Sequence, residues 1–305
     1  GSWVAMEDAV KSLLKVLSEG GDEKALDNAL VFIEYELGYC DPSTPAGELL
    51  FSQEAVDIFS KALDNDVTAE VATATCHTLL QLVAYLERER TARLVTAPNI
   101  IPRLVADLGK AADNVFISRS SACVLAALAE HSYAEEVAGC GGVLDAASAA
   151  IKHGLGHEPS SFDAEDEGET QRKDAVKPCL ELLKNLMANN ADSAKHVASH
   201  PDLPQQVVDV ASSYGSPSMI GEFYSMLEYI GSLLKSAGAA VRMIIAAMAA
   251  DDAAALLKKL KEGLEAKGRG VEKADEWNAT ARGHVLAGLY PDEPVATRNE
   301  LLEQA

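Results

Sequence analysis

Apolar residues recur along this chain at positions i, i+3, i+4 and i+7, the spacing that places side chains on one face of an α-helix. One such frame recurs five times, and each copy begins at a residue that is apolar: Val10, Val56, Ile101, Val143 and Leu203. The copies are 46, 45, 42 and 60 residues apart. Seven residues after each start comes another apolar residue: Leu17, Leu63, Leu108, Ala150 and Val210. The pattern predicts an internal repeat built on a short helix with one buried face.

A longer amphipathic helix is predicted after each of these segments, and a sixth is predicted near the end of the chain. The predicted helices cover residues 22–38, 67–88, 114–131, 170–189, 217–236 and 273–289. A shorter helical piece and a breaker come before the segments, with Pro98, Gly141-Gly142 and Pro201 at three of the bends. Glycine and proline permit the sharp turn that joins two helices there. Each repeat is therefore expected to contain three helices.

Two stretches resemble motifs of the armadillo-repeat family. Residues 137–145, with Gly141-Gly142 at the bend, resemble the turn between the second and third structural pieces of an armadillo repeat. Residues 184–188, with Asn185 followed by Leu186, resemble the Asn-Leu-Ala motif near the end of the third helix. The period and helicity also fit HEAT repeats, and the short helix before each bend favours the armadillo type.

The resemblance covers almost the whole chain and implies an all-α fold. The expected architecture is a right-handed α-solenoid of about six armadillo-type three-helix repeats, forming a single domain over residues 1–305. The repeats are expected at residues 4–39, 49–89, 91–131, 133–190, 191–236 and 239–290, with a C-terminal tail at 291–305. The fourth contains an acidic stretch, 154–169, that is expected to be a mobile loop because like charges repel and little can be buried. The sixth is degenerate, with Asp251-Asp252 where its bend is expected.

Charge restricts the possible partners. The chain has 47 acidic and 26 basic residues, a formal net charge of −21. Nucleic acids and anionic membranes attract positive surfaces, so both are disfavoured as partners, whereas a basic protein segment is allowed. An apolar stretch from Ala237 to Leu257 is interrupted by charged residues and is not expected to span a membrane. Five cysteines, an odd number without a CxxC pair, favour a reducing compartment, and we expect a cytoplasmic protein.

Motifs for catalysis are not found in the sequence. His153/His157 and His196/His200 have the i, i+4 spacing of a helical metal pair, but glycines interrupt the first and Pro201 follows the second. Phosphate-binding loops, kinase signatures and the GxSxG nucleophile motif are not present. We therefore expect no enzymatic activity, no metal and no cofactor.

The resemblance implies that function lies in the groove lined by the third helices. In the armadillo family, the position before the motif leucine and the positions one and two turns earlier point into that groove. The matching candidates in this sequence are His77, Gln81, Arg119, Glu181, Asn185, Tyr224, Glu228 and Ser232. Members that carry nuclear-import cargo have a ladder of groove asparagines and tryptophans, of which this chain keeps only Asn185.

The expected function is therefore a non-enzymatic scaffold or adaptor that binds a peptide or helical segment of another protein. One alternative is a co-chaperone or exchange-type regulator that clamps a folded partner domain. A further alternative is a purely structural or oligomerisation array. A peptide that competes for the groove would distinguish the first function from the second.

Overall fold

The computed structural model describes residues 2–64, 68–85, 88–156, 162–163, 171–172, 174–213, 227–265 and 274–305. The helices in the first part of the chain are α1 (Ser2–Glu19), α2 (Glu23–Tyr35), α3 (Pro45–Leu50), α4 (Gln53–Ala62), α5 (Ala69–Tyr85), α6 (Arg88–Thr96), α7 (Ile100–Leu108), α8 (Val115–Leu128) and α9 (Ala134–Gly139). Those that follow are α10 (Val143–Leu155), α11 (Val176–Asn189), α12 (Ala191–Ser199), α13 (Leu203–Ser213), α14 (Leu227–Ala246), α15 (Ala250–Glu265), α16 (Ala274–Leu289) and α17 (Val295–Gln304). Two short strands, β1 (Phe162–Asp163) and β2 (Gln171–Arg172), pair antiparallel.

Apart from α17, the described helices follow one repeating order of three. Short first helices are α3, α6, α9 and α12; second helices are α1, α4, α7, α10, α13 and α15; third helices are α2, α5, α8, α11, α14 and α16. The chain divides into two compact units, an N-terminal unit of residues 1–146 and a C-terminal unit of residues 147–305. In the N-terminal unit α5 packs between α2 and α8, and in the C-terminal unit α14 packs between α11 and α16.

The apolar frame read from the sequence forms the core of both units. All ten of its anchor residues are buried, with Val10, Leu108, Ala150, Leu203 and Val210 fully enclosed. Nine of them lie on the second helices and Leu63 directly follows α4, and in the N-terminal unit these helices pack against the third helices of the same repeats. Burial of apolar surface stabilises the fold by about 25 cal/mol per Å², so each buried anchor contributes to stability.

Equivalent capping residues begin the three third helices of the N-terminal unit. Asp22, Thr68 and Asn114 are spaced at steps of 46 residues. The side-chain oxygen of each accepts a hydrogen bond from the backbone N–H three residues later, at 2.8 Å on Ala25, 3.5 Å on Val71 and 3.1 Å on Ile117. Such caps satisfy N–H groups that a helix leaves unpaired at its start. The third helices of this unit therefore begin in the same register.

The C-terminal part of the chain differs from the sequence prediction in three places. Helix α11 begins at Val176 rather than at residue 170, because Asp174 accepts the Val176 N–H at 3.0 Å and residues 171–172 form β2. Helix α14 runs on to Ala246, ten residues beyond its predicted end, since this alanine-rich stretch contains no proline and only one glycine, Gly238. The predicted tail contains α17, whose Leu302 is fully buried.

The bend of the sixth repeat also differs from its predicted place. It lies at residues 247–249, and Asp251-Asp252 occupy the first turn of α15. Carboxylates are favourable there because the first turn of a helix carries partial positive charge. The predicted acidic loop lies outside the described residues, apart from residues 154–156 at the end of α10 and β1.

Helices α14 and α16 approach each other closely through glycine. A Cβ on Gly238 would clash with the Val285 carbonyl oxygen, and a Cβ on Gly288 would clash with the Lys235 carbonyl oxygen. In the same way, a Cβ on Gly231 would lie 2.9 Å from the ring of His284. Backbones this close leave no room for a side chain between them.

Among the described helices, α14 has the length and hydropathy of a membrane span over Glu228–Ala246. In this structure 61% of that window is buried inside the protein. Its apolar residues pack against α11, α13 and α16, and this packing accounts for its composition.

Candidate partner-binding surface

The third helices of the N-terminal unit present a regular array of side chains to solvent. Because α2, α5 and α8 share one register at steps of 46 residues, equivalent positions lie side by side on the same face. We call this array the N-terminal third-helix face. Its four rows, each given in the order α2, α5, α8, are Lys24–Glu70–Phe116, Asp27–Thr73–Arg119, Val31–His77–Cys123 and Tyr35–Gln81–Ala127. All twelve residues are exposed or half-buried.

Large apolar side chains are unusually exposed on this face. Among the described residues, six large apolar side chains are exposed to solvent: Val4, Val31, Tyr35, Tyr39, Phe116 and Val295. Three of these six belong to the face, with exposures of 56% for Val31, 61% for Tyr35 and 42% for Phe116. Val31 and Tyr35 are one turn apart on α2, and Phe116 lies on α8. Neighbouring exposed apolar side chains mark interaction surfaces more than isolated ones do.

His77 and Arg119, both predicted groove residues, are brought together on this face. The Arg119 guanidinium carbon lies 5.5 Å from the centre of the Phe116 ring, which is the geometry of a cation–π contact. Desolvation by surrounding side chains, together with the nearby Arg119 charge, lowers the pKa of His77 below its usual 6.5. The imidazole is therefore mostly neutral at pH 7. Gln81, one turn after His77, is half-buried.

The matching face of the C-terminal unit is formed by α11, α14 and α16, and here Glu181 is engaged within the protein. Its carboxylate lies 3.0 and 3.3 Å from the Lys184 ammonium, and its Oε1 accepts a hydrogen bond from the Ser236 hydroxyl. Ser236 is on α14, so this cluster braces α11 against α14. Glu181 thus has a structural role in the free protein, which the groove prediction did not include.

The other predicted residues of this face are placed differently. Glu228 and Ser232 are exposed on α14, and Asn185 is half-buried on α11. Tyr224 lies outside the described residues. The sequence predicts these residues as partner contacts.

Sequence reasoning missed the exposed apolar residues of the N-terminal face, Val31, Tyr35 and Phe116, and also Lys177 of the other face. Val31 and Tyr35 stand 46 residues before His77 and Gln81. Extending the groove positions by one repeat toward the N-terminus would have predicted them. Lys177 is equivalent to Arg119, since each stands nine residues before the leucine of the motif position, Leu186 or Leu128. The Lys177 ammonium lies 4.7 Å from the centre of the Tyr229 ring. Both units therefore carry a cation over an aromatic ring on the third-helix face.

Metal-binding and nucleophilic chemistry have little support in the described part of the chain. No group of three or more His, Cys, Asp or Glu residues is arranged there to hold a metal ion. Burial raises the pKa of the Cys76 thiol to about 12 and also raises that of Cys140, so neither is a ready thiolate at neutral pH.

Comparisons with known proteins identify the fold. No protein-family model and no curated protein matches the chain. Among solved structures, it is similar to a designed armadillo repeat protein, with a TM-score of 0.51 and 14% identity over 90% of this chain and 98% of that one. It is also similar to an engineered protein solved by a structural genomics consortium, with a TM-score of 0.53 and 14% identity over 92% and 97% of the two chains. The chain therefore has an armadillo-like repeat fold, as the sequence predicted.

Proposed function

We propose that this protein is a non-enzymatic scaffold or adaptor that binds a peptide or helical segment of another protein on a third-helix face. Repeat folds of this kind stack helices into extended surfaces suited to protein binding. The observation that carries the proposal is the exposure of Val31, Tyr35 and Phe116 on one such face, where burial by a partner would recover apolar surface from water.

Charge adds a second element to the proposal. The net charge of −21 creates a negative field that attracts basic residues and speeds encounter with them. We therefore propose that the partner segment carries basic residues outside its contact with the face. A cytoplasmic location completes the proposal and rests on the cysteine pattern of the sequence.

Site-specific photo-crosslinking tests this function. A photoreactive phenylalanine analogue replaces Gln81 in one variant and Ser232 in another, since both positions lie on third-helix faces. Ala106 on α7 and Ala254 on α15 are exposed positions on second helices and carry the same analogue as controls. The variants are irradiated in native lysate, and crosslinked proteins are identified by mass spectrometry.

The expected result is a crosslinked partner from position 81 or 232 that the control positions do not yield. The partner should also dissociate more readily as salt increases, because screening weakens the attraction of its basic residues. Crosslinks from positions 106 and 254 alone would place the interaction on the second helices and refute the proposal.

A further inference from the structure

We propose that the N-terminal third-helix face binds the apolar side of an amphipathic helix along an uncharged strip. The strip consists of the two rows nearest the C-terminal ends of the third helices: Val31, His77, Cys123, Tyr35, Gln81 and Ala127. The inference rests on the proposed function and specifies the partner of one of its two faces.

Charge divides this face into two halves. The rows nearest the N-terminal ends of the helices contain Lys24, Glu70, Asp27 and Arg119, whereas the strip contains no carboxylate, ammonium or guanidinium group. Charged residues make up 24% of the chain, and its net charge is −21. An uncharged strip with two exposed large apolar side chains is therefore suited to an apolar surface rather than to an ion pair.

His77 stands in the middle of the strip and determines its charge. Arg119 on α8 is the charge that acts on its pKa. The face also carries Glu70 two turns earlier on the same helix, Asp27 on α2 and Cys123 on α8, and the buried Cys76 precedes His77 in the chain. Desolvation and the Arg119 charge keep its pKa below the usual value, so at neutral pH the strip carries no charge. Acidification places a positive charge at its centre, and an apolar partner would have to desolvate that charge.

The dimensions of the strip fit about three turns of helix. Packed helices lie about 8–10 Å apart, so the strip extends about 16–20 Å from α2 to α8. A helix rises 1.5 Å per residue, and about 11–13 residues cover this length. Apolar side chains at i, i+4, i+7 and i+11 would line the side that contacts the strip.

Hydrogen-bonding capacity favours a helix over an extended segment. An extended chain brings unpaired backbone N–H and C=O groups to the surface it contacts, and these need partners once water is excluded. The strip offers few polar groups for this purpose, chiefly the Gln81 amide, the His77 imidazole and the Tyr35 hydroxyl. A helix satisfies its backbone internally and requires only apolar contact.

The first experiment selects ligands with a library of random 16-residue peptides displayed on phage, panned on the full chain at pH 7.5. Binding of a selected peptide is then measured for Val31→Ser and Tyr35→Ser. The matched controls are Val295→Ser and Tyr39→Ser, which replace residues of the same types outside the strip, with exposures of 76% and 82%. All four side chains are exposed, so the substitutions leave the core intact.

We expect peptides with the apolar spacing of an amphipathic helix. Each strip substitution should weaken binding by about tenfold or more, as for other large apolar anchors, and the controls should stay within about twofold. Peptides whose affinity is unchanged by the strip substitutions but falls for Glu228→Ala or Ser232→Ala would overturn this inference. The proposed function would still stand in that case. Failure to select any peptide sensitive to a variant on either face would overturn both.

A pH series separates an apolar ligand from an acidic one. Affinity should fall as the pH is lowered from 7.5 to 5.0, and His77→Gln should remove that part of the pH dependence. Affinity that instead rises on acidification, and does so only when His77 is present, would identify a carboxylate ligand and overturn the apolar strip.

Discussion

The close contact between α14 and α16 leads to a prediction with an internal control on one helix. Gly283 and Gly288 both lie on α16, but a Cβ on Gly283 meets nothing within 4 Å, whereas a Cβ on Gly288 clashes with the Lys235 carbonyl and stands 2.7 Å from the Ala239 nitrogen. Replacing either glycine by alanine gives the helix the same gain in intrinsic propensity. Only the packing differs between the two variants.

The magnitudes follow from these two contributions. Alanine in place of an exposed helical glycine stabilises a protein by about 0.5–1 kcal/mol, so Gly283→Ala should be stabilising by that amount. Overpacking a tight contact costs about 1–3 kcal/mol, and at Gly288 this cost exceeds the gain. The difference in unfolding free energy between the variants, from which the propensity gain cancels, should therefore be about 1–3 kcal/mol.

Urea denaturation followed by tryptophan fluorescence measures this difference. The chain has two tryptophans, Trp3 in α1 and Trp277 in α16, so a Trp3→Phe background makes the signal report on the C-terminal unit. Equal stabilisation by both alanines would show that α14 and α16 are not in backbone contact at Gly288 and would refute the reasoning.

Three further predictions concern capping, burial and the helix brace. Asn114→Ala should lower the free energy of unfolding in urea by about 0.5–2 kcal/mol, because it removes a cap that accepts hydrogen bonds from two backbone N–H groups. The control Asn99→Ala should leave stability nearly unchanged, because Asn99 precedes a helix without forming a side-chain cap. Burial raises the pKa of the Asp107 carboxyl above its usual 3.8, although the nearby Lys110 ammonium lowers it. Between pH 3.8 and this raised pKa, the native state binds the proton more tightly than the unfolded state does. The free energy of unfolding should therefore decrease as the pH rises through that range. Asp107→Asn should flatten this part of the pH–stability curve, and an unchanged curve would contradict the assignment. Ser236→Ala should destabilise the C-terminal unit by about 0.5–1.5 kcal/mol through loss of its hydrogen bond to Glu181, and a double-mutant cycle with Glu181→Gln that shows no coupling would refute the brace.

The repeating helices could be predicted because the information is local. The anchor residues from Val10 to Val210 recur at helical spacing, and a side chain's place on a helix face follows from its position in the sequence alone. Bends marked by glycine or proline were predictable for the same reason. The sixth repeat was not, because residues 237–246 contain no proline and only one glycine, Gly238, through which the helix continues.

The candidate surface was less accessible to sequence reasoning. Val31 and Tyr35 carry the side chains expected of a core, and their exposure follows from a position on the solvent side of α2. Glu181 looked available for a partner, but its hydrogen bond to Ser236 joins residues 55 positions apart and depends on how α11 and α14 pack. Contacts of this kind are determined by tertiary structure and have no local pattern in the sequence.

The constant 46-residue step between the third helices of the N-terminal unit makes the repeat a module for growth. Adding or removing one block of 46 residues keeps every third-helix cap and every third-helix position in register, whereas a block of 45 would turn each following side chain by about 100° around its helix. Each added block lengthens the face by one column of four side chains, about 8–10 Å wide. The width of the face therefore changes only in whole steps of one helix, and so does the length of the partner helix that it can bind.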